Sequence, residues 1–236
     1  MPDTFISIDL GQLSDYSAIS VINVEYYQKP YLVRDDEREV RFDPRDSIPV
    51  FEVPLIERMQ IKYRDVLTRA LQIQRHPSLI LRQSEIVIDA TGVGNAVLEM
   101  CDEMELEVTP IVITAGQLAS HKENKYFVPR KELITSLVVV VQERRIKIAQ
   151  MGDITEIAKD ELRNLRLKVR EQTQNELIEP EHASQHDDIV LSLGMGLWVA
   201  MQEHSTEMVY LDRMEEDNAA QTPTHGYDVA NWGLKK

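Results

Sequence analysis

Short apolar segments separated by turn residues dominate the beginning of the chain. Residues 5–10 (FISIDL) and 17–24 (SAISVINV) predict two strands, and the turn-like composition between them favours an antiparallel pair. Residues 30–54 contain four prolines between short apolar pieces, which predicts a third strand and a charged excursion. The fold therefore opens with a group of neighbouring strands.

The next part of the chain alternates between helical and strand patterns. Apolar residues recur at spacings of three and four over residues 56–74, which predicts an amphipathic helix. Residues 85–90 (EIVIDA) predict a buried strand, followed by a helix to about Met104 and a strand at residues 108–114. A helix that joins two strands favours their parallel arrangement.

The second half of the chain is predicted to be mainly helical. The expected elements are a polar loop at 117–125, a helix from Pro129 to about Arg144, a strand or helix end at 145–149, a highly charged helix at 153–169 and an apolar helix at 187–201. Strands first and alternating helices and strands afterwards predict an α/β fold, a mixed sheet with helices on both faces. We assign residues 1–202 to this domain and residues 203–236 to an acidic, poorly ordered tail.

Composition excludes several classes of protein. With 43% hydrophobic and 28% charged residues, the chain is neither collagen-like nor wholly disordered. Cys101 is the single cysteine, so no internal disulfide forms. The longest apolar-rich run, residues 189–201, is shorter than the roughly 20 residues of a membrane span, and no secretory signal is expected at the N-terminus.

The charge is unevenly distributed. The net charge of −14 argues against nucleic-acid binding by the chain as a whole, but residues 117–170 hold twelve basic and seven acidic residues, a local charge of +5. A polyanion responds to charges within about 10 Å, so this segment is a candidate DNA contact; the alternative is a solvated helix surface. The candidates for sequence-independent phosphate contacts are Lys122, Lys125, Arg130, Lys131, Arg144 and Arg145.

Acidic residues stand at the boundaries of three apolar elements: Asp9, Asp89, and the pair Asp187 and Asp188. Each has an ordinary explanation. Alternation along the first strand puts Asp9 opposite the aliphatic residues, as in a solvated strand residue. Asp89 would end a strand, and the Asp pair would cap a helix.

The three acidic positions taken together suggest a shared metal site, because none has an obvious Lys or Arg neighbour in sequence. They would converge if the strands that carry Asp9 and Asp89 are adjacent. Clustered carboxylates repel one another unless divalent cations neutralise them. Hard oxygen ligands suit Mg²⁺ or Mn²⁺, and two such ions form the arrangement used for phosphodiester hydrolysis.

Three segments resemble a known family: residues 5–19 (FISIDLGQLSDYSAI), 86–100 (IVIDATGVGNAVLEM) and 182–198 (HASQHDDIVLSLGMGLW). Together they are similar to the ribonuclease H-like nuclease domain of the large terminase subunit of tailed bacteriophages, over residues 4–202. The resemblance implies a ribonuclease H-like fold. It also implies a metal-dependent endonuclease that cuts concatemeric double-stranded viral DNA during genome packaging.

The same resemblance assigns roles to individual residues. It implies that Asp9, Asp89 and Asp188 are catalytic and hold two Mg²⁺ or Mn²⁺ ions, with Asp187 as the competing third ligand. Asp15 and His186 would support this site from outside the ligand set.

The family protein also has an ATPase motor, and this chain contains no G-x-x-x-x-G-K-[ST] motif. We therefore expect a separate packaging ATPase, a small terminase subunit and a portal as partners. We expect the protein to act in the cytoplasm of a bacterial host and not to bind a membrane.

Two alternatives remain open. Another ribonuclease H-like nuclease, of the Holliday-junction resolvase or transposase type, would share the carboxylates and prefer branched DNA. A packaging or assembly adaptor with the same fold and no catalysis would not bind Mn²⁺. An actin-like ATPase or kinase also begins with a strand, an Asp and a glycine turn, but we expect no room in this chain for its second domain.

Overall fold

The computed structural model of the protein describes residues 2–11, 15–32, 40–92, 94–169, 176–180 and 187–219. The strands are β1 (Thr4–Asp9), β2 (Ser17–Leu32), β3 (Val40–Met59), β4 (Ser84–Asp89), β5 (Thr109–Thr114), β6 (Ser120–Lys122), β7 (Lys125–Pro129), β8 (Ile146–Ile148), β9 (Leu165–Val169) and β10 (Glu176–Pro180). The helices are α1 (Tyr63–Gln74), α2 (Gly94–Glu103), α3 (Arg130–Gln142), α4 (Asp153–Asn164) and α5 (Asp188–Ala219).

Eight strands form one mixed sheet in the order β6-β7-β5-β4-β1-β2-β3-β8. β1 and β2 are antiparallel neighbours, as the sequence predicts, and the predicted third strand, β3, pairs antiparallel with β2. On the other side of β1, the strands β4, β5 and β7 run parallel to it. The α2 crossover accounts for the parallel orientation of β4 and β5. The mixed α/β sheet is therefore confirmed, and β9 and β10 form a separate two-stranded sheet.

Helices bury both faces of the sheet, so β1 is buried along its whole length. Phe5 belongs to the apolar cluster that includes residues of α3, α4 and α5. Ile6 and Ile8 belong to the cluster that includes residues of α1 and α2. The alternation of β1 thus divides its side chains between two cores, and both sides of the strand are dry.

α5 lies directly against the centre of the sheet. The Ser192 hydroxyl donates to the Ser7 carbonyl oxygen at 2.9 Å and pairs with the Ser20 hydroxyl at 2.8 Å. These contacts tie α5 to β1 and β2, and they fix the position of the first turn of α5 relative to the end of β1.

The helix predicted over residues 56–74 begins later than expected. Ile56 and Met59 belong to β3, where they pair with Ser20 and Ser17 of β2, and α1 starts at Tyr63. The spacing of these two residues matches the helical period by chance, and the ladder with β2 determines their conformation.

Other boundaries also differ from the sequence prediction. The polar loop predicted at 117–125 contains β6 and the turn that leads into β7, and the two strands form a hairpin. The charged helix predicted at 153–169 ends at Asn164, because residues 165–169 pair with β10. The undecided segment at 145–149 contains β8, which is a strand parallel to β3.

The predicted boundary at residue 202 lies inside α5, which continues to Ala219. Residues 203–219 contain no Gly or Pro and are rich in Glu and Met, which favours helix over the poorly ordered tail expected there. Residues 220–236 lie outside the described residues.

None of the helices in the described part of the chain combines the length and the apolar character that a bilayer crossing requires. Cys101 is a buried free thiol in α2.

Candidate active site

Asp9 and Asp89 lie side by side at one edge of the sheet. β1 and β4 are parallel with Ile8 opposite Ile88, so the next residue of each strand is an aspartate. On the other side of β1, Asp9 pairs with Ala18 of β2, and Ala18 pairs with Arg58 of β3. A single row across four strands therefore brings two carboxylates and one guanidinium to the same edge.

Asp9 is a buried carboxyl group, with 7% of its surface exposed. Among the neighbouring charges, that of Asp89 acts on Asp9 most strongly. Burial raises the pKa of Asp9 well above its ordinary value, and the charges of Asp89 and Asp188 raise it further, whereas the charge of Arg130 lowers it. The interpretation of Asp9 as a solvated strand residue is wrong, because α5 covers the face on which it lies.

Asp89 is held by the turn that follows it. The Thr91 backbone N–H donates to Asp89 Oδ1 at 2.7 Å, and the Ile113 N–H donates to the Thr91 hydroxyl at 2.7 Å. Burial raises the pKa of Asp89, while its hydrogen bonds with Thr91 act in the opposite direction. The turn therefore fixes the Asp89 carboxyl group against β5.

The third acidic position lies at the first turn of α5, where two arginines meet the two aspartates. Arg58 Nε and Nη2 donate to Asp188 Oδ2 at 3.0 and 2.9 Å. Arg130, the first residue of α3, forms an ion pair with Asp187. The charge of Asp188 acts on Asp9, which places the three acidic positions in one electrostatic cluster.

Glu161 of α4 completes the surroundings of this turn. Its Oε2 accepts the backbone N–H groups of Ile189 at 3.0 Å and Val190 at 3.2 Å, which are free donors at the start of any helix. Burial raises the pKa of Glu161 to about 7, although the N–H bond from Val190 lowers it. The start of α5 is thus capped by a carboxyl group of another helix.

Charge balance decides which ligand suits the cluster. Four aspartates face two guanidinium groups, so the fully ionised cluster carries an excess of negative charge. Within the described part of the chain, no three His, Cys, Asp or Glu side chains are arranged to hold a metal ion. The oxygen donors, their burial and their mutual repulsion fit a hard divalent cation, and the arginine pairs explain why the third carboxylate is not in a ligand position.

Two further residues, Asp15 and His186, were expected to support the site. Asp15 is exposed and lies just before β2, and His186 lies outside the described residues.

The predicted phosphate contacts fall into two groups separated by α3. Arg130 lies in the carboxylate cluster, with the exposed Lys131 next to it. Lys125 Nζ donates to Asn95 Oδ1 at 3.2 Å, and Lys122 is exposed on the neighbouring edge strand. Of this group, Arg130 acts on the charge of Asp89, and β6 and β7 lie on the same side of β1 as β4.

Arg144 and Arg145 lie beyond the other end of α3, about 20 Å from Arg130 for a helix of this length. Arg145 forms an ion pair with Glu143 at 2.6 Å and donates to the Pro49 carbonyl oxygen. The structure therefore does not bring these two arginines together with the carboxylates.

The sequence analysis missed Arg58 and Glu161. Arg58 was hidden by the assignment of residues 56–59 to a helix, since only a strand places it in the row with Asp9. Glu161 had a detectable signal, because it follows Ile154 and Ala158 at helical spacing and so interrupts the buried face of α4 with an acid.

Comparison with known proteins identifies one fold relationship. A scan against models of protein families finds no match, and a search of curated proteins finds none either. Among solved structures, the chain is similar to the large terminase nuclease from thermophilic phage G20c, with a TM-score of 0.53 and 21% identity over 83% of this chain and 81% of that chain. The similarity confirms the expected ribonuclease H-like fold.

Proposed function

We propose that the protein is a divalent-metal-dependent DNA endonuclease that cuts concatemeric viral DNA during genome packaging. The observation that carries this proposal is the adjacency of Asp9 and Asp89 at the ends of two parallel strands, with Asp9 buried and also under the charge of Asp188. The pair lies at the edge of a sheet whose fold is similar to that of a phage terminase nuclease.

Asp9 and Asp89 would hold the cation, with Asp188 or Asp187 as the third ligand. Bound Mg²⁺ or Mn²⁺ supplies an activated water and stabilises the charge that develops on the leaving oxygen. The Thr91 N–H holds Asp89 in place, and a bound cation would offset the mutual repulsion of the Asp9 and Asp89 carboxylates.

Double-stranded DNA is the proposed substrate, with Lys122, Lys125, Arg130 and Lys131 beside its backbone. These contacts position a duplex without reading its sequence. A packaging ATPase, a small terminase subunit and a portal are the proposed partners, because a chain with a net charge of −14 binds DNA weakly when it acts alone.

Cleavage of supercoiled plasmid tests the function. The wild type is incubated with Mn²⁺, Mg²⁺ or EDTA beside Asp9→Asn and Asp89→Asn, and Asp102→Asn is the control because Asp102 is an exposed aspartate of α2. We expect metal-dependent nicking and linearisation, lost by at least 100-fold in the two site variants and retained in the control. Circular dichroism establishes that all three variants are folded.

The alternatives give different results in the same assay. Preferential cutting of a four-way junction over linear duplex would indicate a resolvase. No cutting of any DNA, together with no Mn²⁺ binding by calorimetry, would contradict the nuclease function and favour an assembly adaptor.

A further inference from the structure

Arg58 has two anchors at the site. Two of its nitrogens donate to one oxygen of Asp188, at 3.0 and 2.9 Å, and its Cζ lies 4.1 Å from the centre of the Tyr16 ring. The side chains of Arg58 and Asp188 are only 14% and 10% exposed. An ion pair this sheltered is screened much less by water and salt than one on the surface.

The pair occupies one of the two oxygens that Asp188 could offer to a metal ion. Asp188 Oδ2 already accepts two N–H groups, and the guanidinium charge compensates the carboxylate that would attract a cation. Asp188 therefore cannot offer Oδ2 to a metal ion while Arg58 stays in place.

Tyr16 gives Arg58 a second anchor that does not involve Asp188. Tyr16 is 36% exposed, and its ring stacks on the guanidinium at 4.1 Å. A guanidinium that leaves Asp188 can therefore keep its contact with a partly solvent-exposed ring. A planar guanidinium in this position matches the geometry of a phosphate group.

We propose that Arg58 competes with the divalent cation for Asp188 and, when displaced, binds a backbone phosphate of the DNA from its place on Tyr16. This inference rests on the proposed nuclease function. It couples occupation of the metal site to the appearance of a phosphate contact beside it.

Calorimetric titration with Mn²⁺ in the absence of DNA tests the competition. We expect Arg58→Gln to bind Mn²⁺ about tenfold more tightly than the wild type, since the cation no longer displaces a charged hydrogen-bond partner. Arg69→Gln is the matched control and should leave the affinity for Mn²⁺ unchanged. Arg69 of α1 pairs with Glu57, which lies next to Arg58 on β3.

A double-variant cycle separates competition from a general effect of charge. If Arg58 acts through Asp188, Arg58→Gln should give no gain in affinity in an Asp188→Asn background. A tenfold gain in that background would overturn the proposal, because it would mean that Arg58 only repels the cation at a distance. If Arg58→Gln does not fold, Arg58→Lys replaces it with a smaller expected gain, since Lys lacks the forked geometry.

Steady-state cleavage at saturating Mn²⁺ tests the phosphate contact. We expect Arg58→Gln to raise KM for DNA about fivefold with a smaller change in kcat, and Tyr16→Ala to raise KM in the same direction. An unchanged KM would overturn the phosphate role. Mn²⁺ binding with equal affinity in the wild type and Arg58→Gln would overturn the competition alone, whereas no Mn²⁺ binding in either protein would contradict the nuclease function itself.

Discussion

Glu161 shows how one buried carboxyl group organises the site. It provides no ligand to the cluster, yet its Oε2 binds the first N–H groups of the helix that carries Asp188. A carboxylate at a helix N-terminus is favoured by the helix dipole, but burial of the charge costs more here, and the result is a pKa of about 7. The protonation state of Glu161 therefore contributes to the pH dependence of stability.

We predict that Glu161→Gln changes the pH dependence of unfolding. The pKa of Glu161 is about 7 in the folded protein against an ordinary value of 4.5, so between these two values the folded state holds a proton that the unfolded chain releases. The contribution of Glu161 to stability is complete below pH 4.5 and is lost as the pH rises through 7. Glutamine keeps an acceptor for the N–H groups and does not titrate. The free energy of unfolding of the variant, relative to that of the wild type, should therefore increase with rising pH. The total increase between pH 4.5 and about 7 should be at most about 3 kcal/mol.

Urea unfolding of both proteins at pH 5, 6, 7 and 8 measures this difference. Glu156→Gln, on the same helix, is the control, because Glu156 is exposed and its pKa is lowered by Lys159. If the unfolding free energies of Glu161→Gln and the wild type differ by the same amount at every pH, Glu161 is ionised in the folded protein from pH 5 to 8.

The acidic residues of the site could be predicted from the sequence, whereas Arg58, which pairs with one of them, could not. Asp9 and Asp89 stand out because a charged residue at the end of an apolar strand is unusual, and their adjacency follows from two parallel strands in register. Arg58 has no such local signal. Its role depends on the pairing of β3 with β2, a long-range contact that periodicity does not encode.

At the scale of elements, the position of α5 relative to the sheet determines where Asp188 lies. The helix approaches β1 and β2 closely, and small residues make this possible. A Cβ at Gly196 would lie 2.7 Å from Ile22 Cδ1 and 2.9 Å from Ser7 Cβ. Gly196 is therefore required by the distance between α5 and the sheet.

We predict that Gly196→Ala lowers the free energy of unfolding by about 1–3 kcal/mol, the usual cost of overpacking a core. The sign is informative, because Ala in place of Gly inside a helix would otherwise stabilise the protein by about 1 kcal/mol. Gly116→Ala is the control, since the nearest atom to its Cβ is the Thr114 hydroxyl at 3.3 Å. Thermal unfolding followed by circular dichroism compares the variants, and a stabilised Gly196→Ala would mean that α5 lies farther from the sheet.

The elements themselves were predictable to different degrees. β1, β4, β5 and α2 match the sequence prediction because their apolar runs are short and bounded by turn residues. The hairpin of β6 and β7 was missed because its first strand is fully exposed and carries no apolar pattern. The end of α4 was misplaced because the strand that follows it (LRLKV) contains Leu, Arg and Lys, which are also good helix formers.

At the scale of the whole molecule, the fold distributes the basic segment over both ends of α3. Residues 117–170 form one basic stretch in the sequence. In the structure, Lys131 lies in the first turn of α3, beside Arg130 of the carboxylate cluster, and Arg144 lies just beyond the last turn. An acidic chain can attract DNA only through the local field of such a region. The end of α3 that carries Lys131 is therefore expected to contact the duplex that is cut.

We predict that Lys131→Gln weakens DNA binding and Arg144→Gln does not, although each removes one exposed positive charge. Fluorescence anisotropy of a labelled duplex, measured in EDTA between 50 and 200 mM KCl, reports affinity and its salt dependence. Each lost phosphate contact lowers the slope of log K against log salt by about 0.9, so Lys131→Gln should show this decrease and Arg144→Gln the wild-type slope. Equal decreases in both variants would mean that the duplex follows α3 along its whole length, and a wild-type slope in both would exclude this helix as the contact surface.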